Sequence, residues 1–208
     1  MTPAKRVRKS PEERRADVHG AARSIALESG LSAVTQRAVA ERAGVAPGLV
    51  THYADRMELL VAEVFRDIVQ EELESVRSAV EAVEGDDVER VIALLHGLIR
   101  DYRRDVALVW LDGWSLSRRN EELAATLVDQ ARAWEDFVAA VFERGDASGA
   151  FRAPDPLALA RFVIGATDGL SAQATVWAGH EEETVRYVTR TVAGLLGIPT
   201  SALARTAY

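Results

Sequence analysis

Apolar positions along this chain recur every three or four residues, the spacing of one face of a helix, and no segment makes a convincing strand. The pattern predicts an all-α protein of about nine helices. A first helix is expected from about Pro11 to Ser29, with Val18, Ala21, Ala22 and Ile25 on one stripe and Gly30 able to end it. Two short helices follow within residues 35–53. A long helix is expected from about Arg56 to Val83, carrying Leu60, Val61, Val64, Phe65 and Ile68, before Gly85-Asp86-Asp87 breaks the pattern. Further helices are expected from Asp87 to about Arg103, from about Asp105 to Ser117, and from Asn120 to about Arg144. Asn120 caps the last of these, and Glu121-Glu122 suit its dipole. Gly145 to Pro154 reads as a turn, Asp155-Pro156 as a cap and first helical residue, and a final helix runs from about Glu181 to Leu196.

The most specific stretch is Thr35 to Tyr53, TQRAVAERAGVAPGLVTHY. Thr35 can cap a first helix whose inward positions are Val39, Ala40 and Ala43, while Gly44 supplies the positive φ of a tight turn. Val45 re-enters the core, Pro47 suits a first helical position, and Val50 and Tyr53 share one face of the second helix. Ala46, Pro47, Gly48, Leu49, Thr51 and His52 are left as outward-facing candidates for reading DNA, because this arrangement is the one that places a helix in a major groove. Alanine-rich helix pairs with a glycine turn also serve as plain packing units, so the assignment rests on the whole pattern and on the basic residues that precede it.

Charge divides along the chain. The net charge of −7 comprises +4 over residues 1–56, with ten Lys or Arg against six Asp or Glu, and −11 over the remainder. Phosphate binding needs a local basic surface, and the positive share lies beside the helix pair. The arm Lys5-Arg6-Val7-Arg8-Lys9 is either a DNA contact or a solvated tail. There is no cysteine, which excludes disulfides, thiolate metal sites and a cysteine nucleophile. Neither an apolar leader nor a run long enough to span a membrane is present, so a cytoplasmic protein with no membrane partner is expected.

At Gly30, Thr35, Ala40-Glu41-Arg42-Ala43-Gly44-Val45-Ala46-Pro47-Gly48, His52-Tyr53 and Leu59-Leu60 the chain resembles the TetR family of transcriptional regulators. Gly48 to Tyr53, Trp110-Leu111-Asp112-Gly113-Trp114 and Asp168-Gly169-Leu170 are similar to the branch that contains the choline-responsive repressor of betaine synthesis. The resemblance implies a DNA-binding domain over residues 1–56 and a helical effector-binding and dimerisation domain over 57–208. It also implies a homodimeric repressor that binds a palindromic double-stranded operator and is released by a small-molecule effector, here of open identity. Thr35, Arg37, His52, Tyr53 and Arg56 would then hold phosphates. The chain departs from the family at Ala46, Ala54 and Met57, where a serine cap, a phenylalanine and a lysine are usual, and Arg56 is the candidate to replace that lysine.

Two late stripes need partners. Leu159, Phe162, Val163, Ala166 and Leu170 in one helix, with Gly165 and Gly169 permitting close approach, and Val185, Val188, Val192 and Leu195 in the last, pack either inside one subunit or, as the resemblance implies, between two. His96, Tyr102, Trp110, Trp114, Asp168 and Trp177 are the candidate effector contacts. The tryptophans serve equally as core, and Asp168 stands out as a carboxylate within an apolar helix. An enzyme is not expected: His19, His52, His96 and His180 are dispersed, and no di-metal pair, nucleophile elbow or phosphate-binding glycine loop occurs. No cofactor or metal is called for. The remaining alternative is a helical protein-interaction module that has lost DNA recognition, which duplex binding and its salt dependence separate from a DNA reader.

Overall fold

The structure is a computed structural model that describes residues 10–54, 56–100, 104–177, 181–199 and 202. The arm from Lys5 to Lys9, Tyr102 and the side chain of Val185 lie outside the described residues. Among those described there are nine α-helices and no strand.

The first helix, α1 (Pro11–Ser29), begins at a reciprocal cap in which Ser10 Oγ accepts the Glu13 N–H at 3.1 Å and Glu13 Oε2 accepts the Ser10 N–H at 2.6 Å. It ends at Gly30, whose φ of +84° a side chain rarely adopts. Helices α2 (Gln36–Ala43) and α3 (Pro47–Tyr53) follow, then the long α4 (Met57–Glu81). The first half of α4 buries Leu60, Val64, Phe65 and Ile68 against Val18, Ala22 and Ile25 of α1, Val39 of α2 and Val50 of α3. The same core takes Val106 and Val109 from α6 (Arg104–Leu116) and Leu123 and Leu127 from α7 (Glu121–Ala147), so it extends well past residue 56.

A second core forms around Leu73, Val76 and Val80 of α4. It gathers Val91 and Leu95 of α5 (Asp87–Leu95), Val138 and Phe142 of α7, Val163 of α8 (Pro156–Ala174), and Val192 of α9 (Glu181–Leu195). Asp87, at the start of α5, ties this layer together. It accepts from Ser148 Oγ at 2.6 Å and pairs with Arg144 Nε at 3.0 Å and Arg90 at 3.1 Å, contacts that hold its carboxyl below the usual carboxylate range, the Ser148 hydrogen bond foremost.

One expectation needs correction. The helix expected to run from Asp87 to Arg103 is α-helical only to Leu95; His96–Arg100 forms a wider, π-type turn that contains Gly97, a poor helix former. The apolar stripes of α8 and α9, for which packing inside one subunit and packing between two were both open, divide between the protomer's own core and its surface. Val163 and Val192 lie inside the protomer's own second core, with Leu159 and Val188 packed partly buried against it. The outward face presents Phe162 (52% exposed), Tyr187 (59%) and Leu195 (54%), with exposed Gly165 and Gly169 beside them and Ala166 and Leu170 at partial exposure. Each helix carries enough apolar residues to satisfy two faces, and spacing alone does not say which face meets the protomer's own core.

The α1–α2 junction is held from a distance. Asp112 Oδ2 on α6 accepts the Ser32 N–H at 2.8 Å, and a Cβ at Gly30 would collide with the same oxygen. Gly30→Ala is therefore expected to lower stability by about 1–3 kcal/mol from the backbone alone, with a further loss from the displaced Asp112. Denaturant midpoints of the variant and of Asp112→Ala check this; if Asp112 is the obstacle, the two substitutions together cost less than the sum of each.

Candidate nucleic-acid interface and effector cavity

The helix pair is built from its caps and its turn. Thr35 Oγ1 accepts the Ala38 N–H at 3.2 Å to start α2, and Gly44 (φ +65°) ends it, with the Val45 N–H returning to Ala40 O at 3.0 Å. Helix α3 starts without a side-chain cap at Ala46. Pro47 pre-sets its first turn, and Gln36 Nε2 donates to Pro47 O at 2.8 Å, bracing the two helices. Across the pair, Glu28 of α1 grips Arg42 through both guanidinium nitrogens at 2.6 and 2.7 Å and accepts from Ser24. Led by the Arg42 hydrogen bonds, these contacts lower the Glu28 pKa to about 2.

With Val50 wholly buried, α3 turns Ala46, Pro47, Gly48, Leu49 and His52 outward, and Thr35 and Arg37 are exposed on the adjoining end of α2. Thr51 is half-buried, its hydroxyl donating to Gly48 O at 3.4 Å, and Tyr53 packs partly buried against the core with His52 edge-on to its ring. Of the cationic candidates, Arg37 has no ion pair among the described residues. Arg56, by contrast, is paired with Glu122 of α7 at 2.8 Å, so a phosphate contact from it would exchange that exposed ion pair for one with DNA. Met57 is half-buried against the first core, and Ala54 is buried within it.

Behind the first core, α4, α6, α7 and α8 enclose a cavity of about 320 Å³. Trp110 is its central wall. It packs edge-on to Phe65 at 5.1 Å, stacks on Trp114 at 6.4 Å, and donates its indole N–H to Glu72 Oε2 at 3.1 Å. Trp134 of α7 lines it too, with a buried Nε1–H that has no hydrogen-bond partner. Asp168 reaches the cavity from α8; burial without a compensating partner raises its pKa to about 6. Arg161, one turn into α8, lines the cavity and donates from Nε to Glu135 of α7 at 3.0 Å. The structure thus brings Trp110, Trp114 and Asp168 together and leaves out two expected contacts. His96 is not on the cavity wall, and Trp177 stands 69% exposed beyond the end of α8.

Two family models match this chain. Residues 20–64 fit that of bacterial regulatory proteins of the tetR family, and residues 87–197, more than half the chain, fit the BetI-type transcriptional repressor C-terminal domain. The chain belongs to the TetR family.

Among curated relatives, the HTH-type transcriptional regulator BetI of Rhizobium meliloti is 32% identical over 124 residues, 59% of this chain and 60% of that one. The regulator of the same name from Vibrio parahaemolyticus is 28% identical over 116 residues, 54% and 58% of the two chains. The matches therefore span less than two thirds of the length of these relatives. In fold, this TetR-family chain is similar to a putative transcriptional regulator of Pseudomonas aeruginosa (TM-score 0.75, 21% identity, 91% of this chain and 93% of that one). It is equally similar to one of Saccharomonospora viridis, solved in complex with choline (TM-score 0.74, 20% identity, 89% and 96%).

Head and cavity are joined by α6 and by the entries to α4 and α7. Trp110 and Trp114 face the cavity, while Asp112, between them in sequence, holds the Ser32 N–H of the head. Asn120 Nδ2 donates to Glu58 O at 3.1 Å beside the Arg56–Glu122 pair, and Arg23 of α1 pairs with Glu71 of α4. Sequence reasoning missed Glu72, Arg161 and Glu135 as cavity residues. Arg161 carried one usable signal, since it lies seven residues before Asp168 and so two turns along the same face of α8.

The Asp168 carboxylate makes stability fall with pH. Its folded pKa lies above the unfolded one, so its contribution is intact below about pH 4 and is lost as pH rises through about 6. Asp168→Asn is expected to be more stable than the parent at pH 8 by of order 2–3 kcal/mol, with the advantage disappearing near pH 4. Denaturant titrations of both proteins at the two pH values test it.

Proposed function

We propose that this protein is a homodimeric transcriptional repressor that binds a palindromic operator through α3 and releases it when a small organic cation enters the cavity. The observation that carries the reading is α3 itself: it is anchored by Val50 and Tyr53, it turns Pro47, Gly48, Leu49 and His52 outward, and it belongs to a TetR-family head. Base edges are read by Ala46, Pro47, Leu49, Thr51 and His52, and phosphates are held by Thr35, Arg37 and the basic arm. The second copy covers the outward face of α8 and α9, where Phe162, Tyr187 and Leu195 flank Gly165 and Gly169, and a two-fold pair sets the two α3 helices at the spacing of successive major grooves.

The effector site is the cavity. The Asp168 carboxylate, the Glu72 carboxylate that accepts the Trp110 indole N–H, and three indole rings make a place for an organic cation, through charge and through cation–π attraction worth about 0.5–2 kcal/mol per ring. The choline carried by a structural neighbour is of this class. Binding beside Trp110 displaces α6, and α6 carries Asp112 against the head; once the α1–α2 junction moves, the two heads no longer match both half-sites and affinity falls.

Selection of binding sites from a randomised duplex pool is expected to enrich a palindrome. On that site Arg37→Ala and His52→Ala should each lower affinity, the latter by about 1–3 kcal/mol with relaxed specificity at its base pair, leaving dimer mass and helicity unchanged. Phe162→Glu combined with Tyr187→Glu should yield a folded monomer by sedimentation and abolish operator binding. Failure of the folded parent protein to enrich any sequence would instead favour a protein-interaction module.

A further inference from the structure

The cavity offers more than a cation needs. Its α8 wall runs from Arg161 through Gly165 and Asp168 to Ala172. Arg161 and Asp168, seven residues apart, are separated by about 10 Å along the helix axis. One end holds a lone carboxylate and the other an arginine–glutamate ion pair. At one, the Asp168 carboxylate has no partner among the described residues. At the other, Arg161 commits only its Nε–H to Glu135, leaving both terminal nitrogens of the guanidinium for another acceptor. Trp134, next to Glu135 in sequence, adds a buried N–H with no acceptor.

We infer that the ligand of this cavity is an extended zwitterion, with its cationic group at Asp168, a carboxylate or comparable oxygen acceptor at Arg161, and an apolar stretch between them against the tryptophans. The inference rests on the reading of the cavity as the effector site. A guanidinium with both terminal nitrogens available takes a carboxylate through two parallel hydrogen bonds, and Glu135 on Nε fixes the plane in which that fork is presented. Arg161 is 60% exposed, so the carboxylate end lies at the mouth, where it loses the least hydration, while the ammonium end reaches the more enclosed Asp168. A short cation satisfies one pole and leaves the other to water.

The test uses the quenching of intrinsic tryptophan fluorescence in the full-length protein, since Trp110, Trp114 and Trp134 all line the cavity. The probes are ω-trimethylammonio-carboxylates of graded chain length, alkyltrimethylammonium ions of the same lengths, the corresponding fatty carboxylates, and choline. Affinity should peak at one zwitterion length and exceed that of the matching alkyl cation by about tenfold. Arg161→Gln should remove that ratio without weakening the alkyl cation, Arg161→Lys should restore part of it, and Asp168→Asn should weaken both. Choline or alkyl cations binding as tightly as any zwitterion, or Arg161→Gln lowering both classes alike, overturns the inference and leaves the effector site standing. If no probe quenches and none releases the selected operator, the effector-site reading fails and the inference with it.

Discussion

The constraint on which the rest depends is that α4 belongs to two cores at once. Leu60, Val64, Phe65 and Ile68 are buried with the head, and Leu73, Val76 and Val80 with α5, α7, α8 and α9. A helix packed along its whole length into close-fitting side chains does not bend by degrees; it shifts as a rod or repacks. The orientation of α1 to α3 is therefore an extension of the packing around the cavity. Trp110 sits at the junction, in contact with both cores and with Glu72 of α4.

The cavity is a place where packing yields to something else. Filling about 320 Å³ with leucine and phenylalanine would stabilise the bundle, yet the walls keep the buried carboxylate of Asp168 and an indole N–H without an acceptor. Groups left in this condition cost stability. They are tolerable because the first core and the Asp87 cluster with Ser148, Arg144 and Arg90 hold the helices in place independently of the cavity.

Much of this was legible in the residues. The start of α1 at Pro11, the α2–Gly44–α3 turn and the start of α8 at Pro156 are set by local chemistry, a capping oxygen, a residue that accepts positive φ, or a proline, and local chemistry is what a sequence displays. The identity of the side chains that meet across the bundle was not. Arg56 reads as an unpaired cation in the sequence, and its partner Glu122 lies sixty-six residues later; the stripe that holds Val163 suits the protomer's own core or an interface, and only the packing of α8 on α7 puts Val163 inside. Trp110, Trp114 and Asp168 were singled out for their unusual chemistry in apolar helices. Arg161 and Glu135 were passed over because an arginine or a glutamate on a helix is ordinary, and only the fold makes them neighbours.

The internal pairing of the head also changes how its charge is to be counted. The ion release that accompanies phosphate binding scales with the number of phosphates that the protein's cations neutralise. Arg23, Arg42 and Arg56 arrive already matched to Glu71, Glu28 and Glu122. An arginine that exchanges a carboxylate for a phosphate still displaces counterions from the duplex, but it gives up its own ion pair, so the exchange gains less affinity than a contact from an unpaired cation. In the proposed complex with DNA, the head's affinity would therefore draw less on these three paired arginines than a count of the ten basic residues in the first fifty-six suggests.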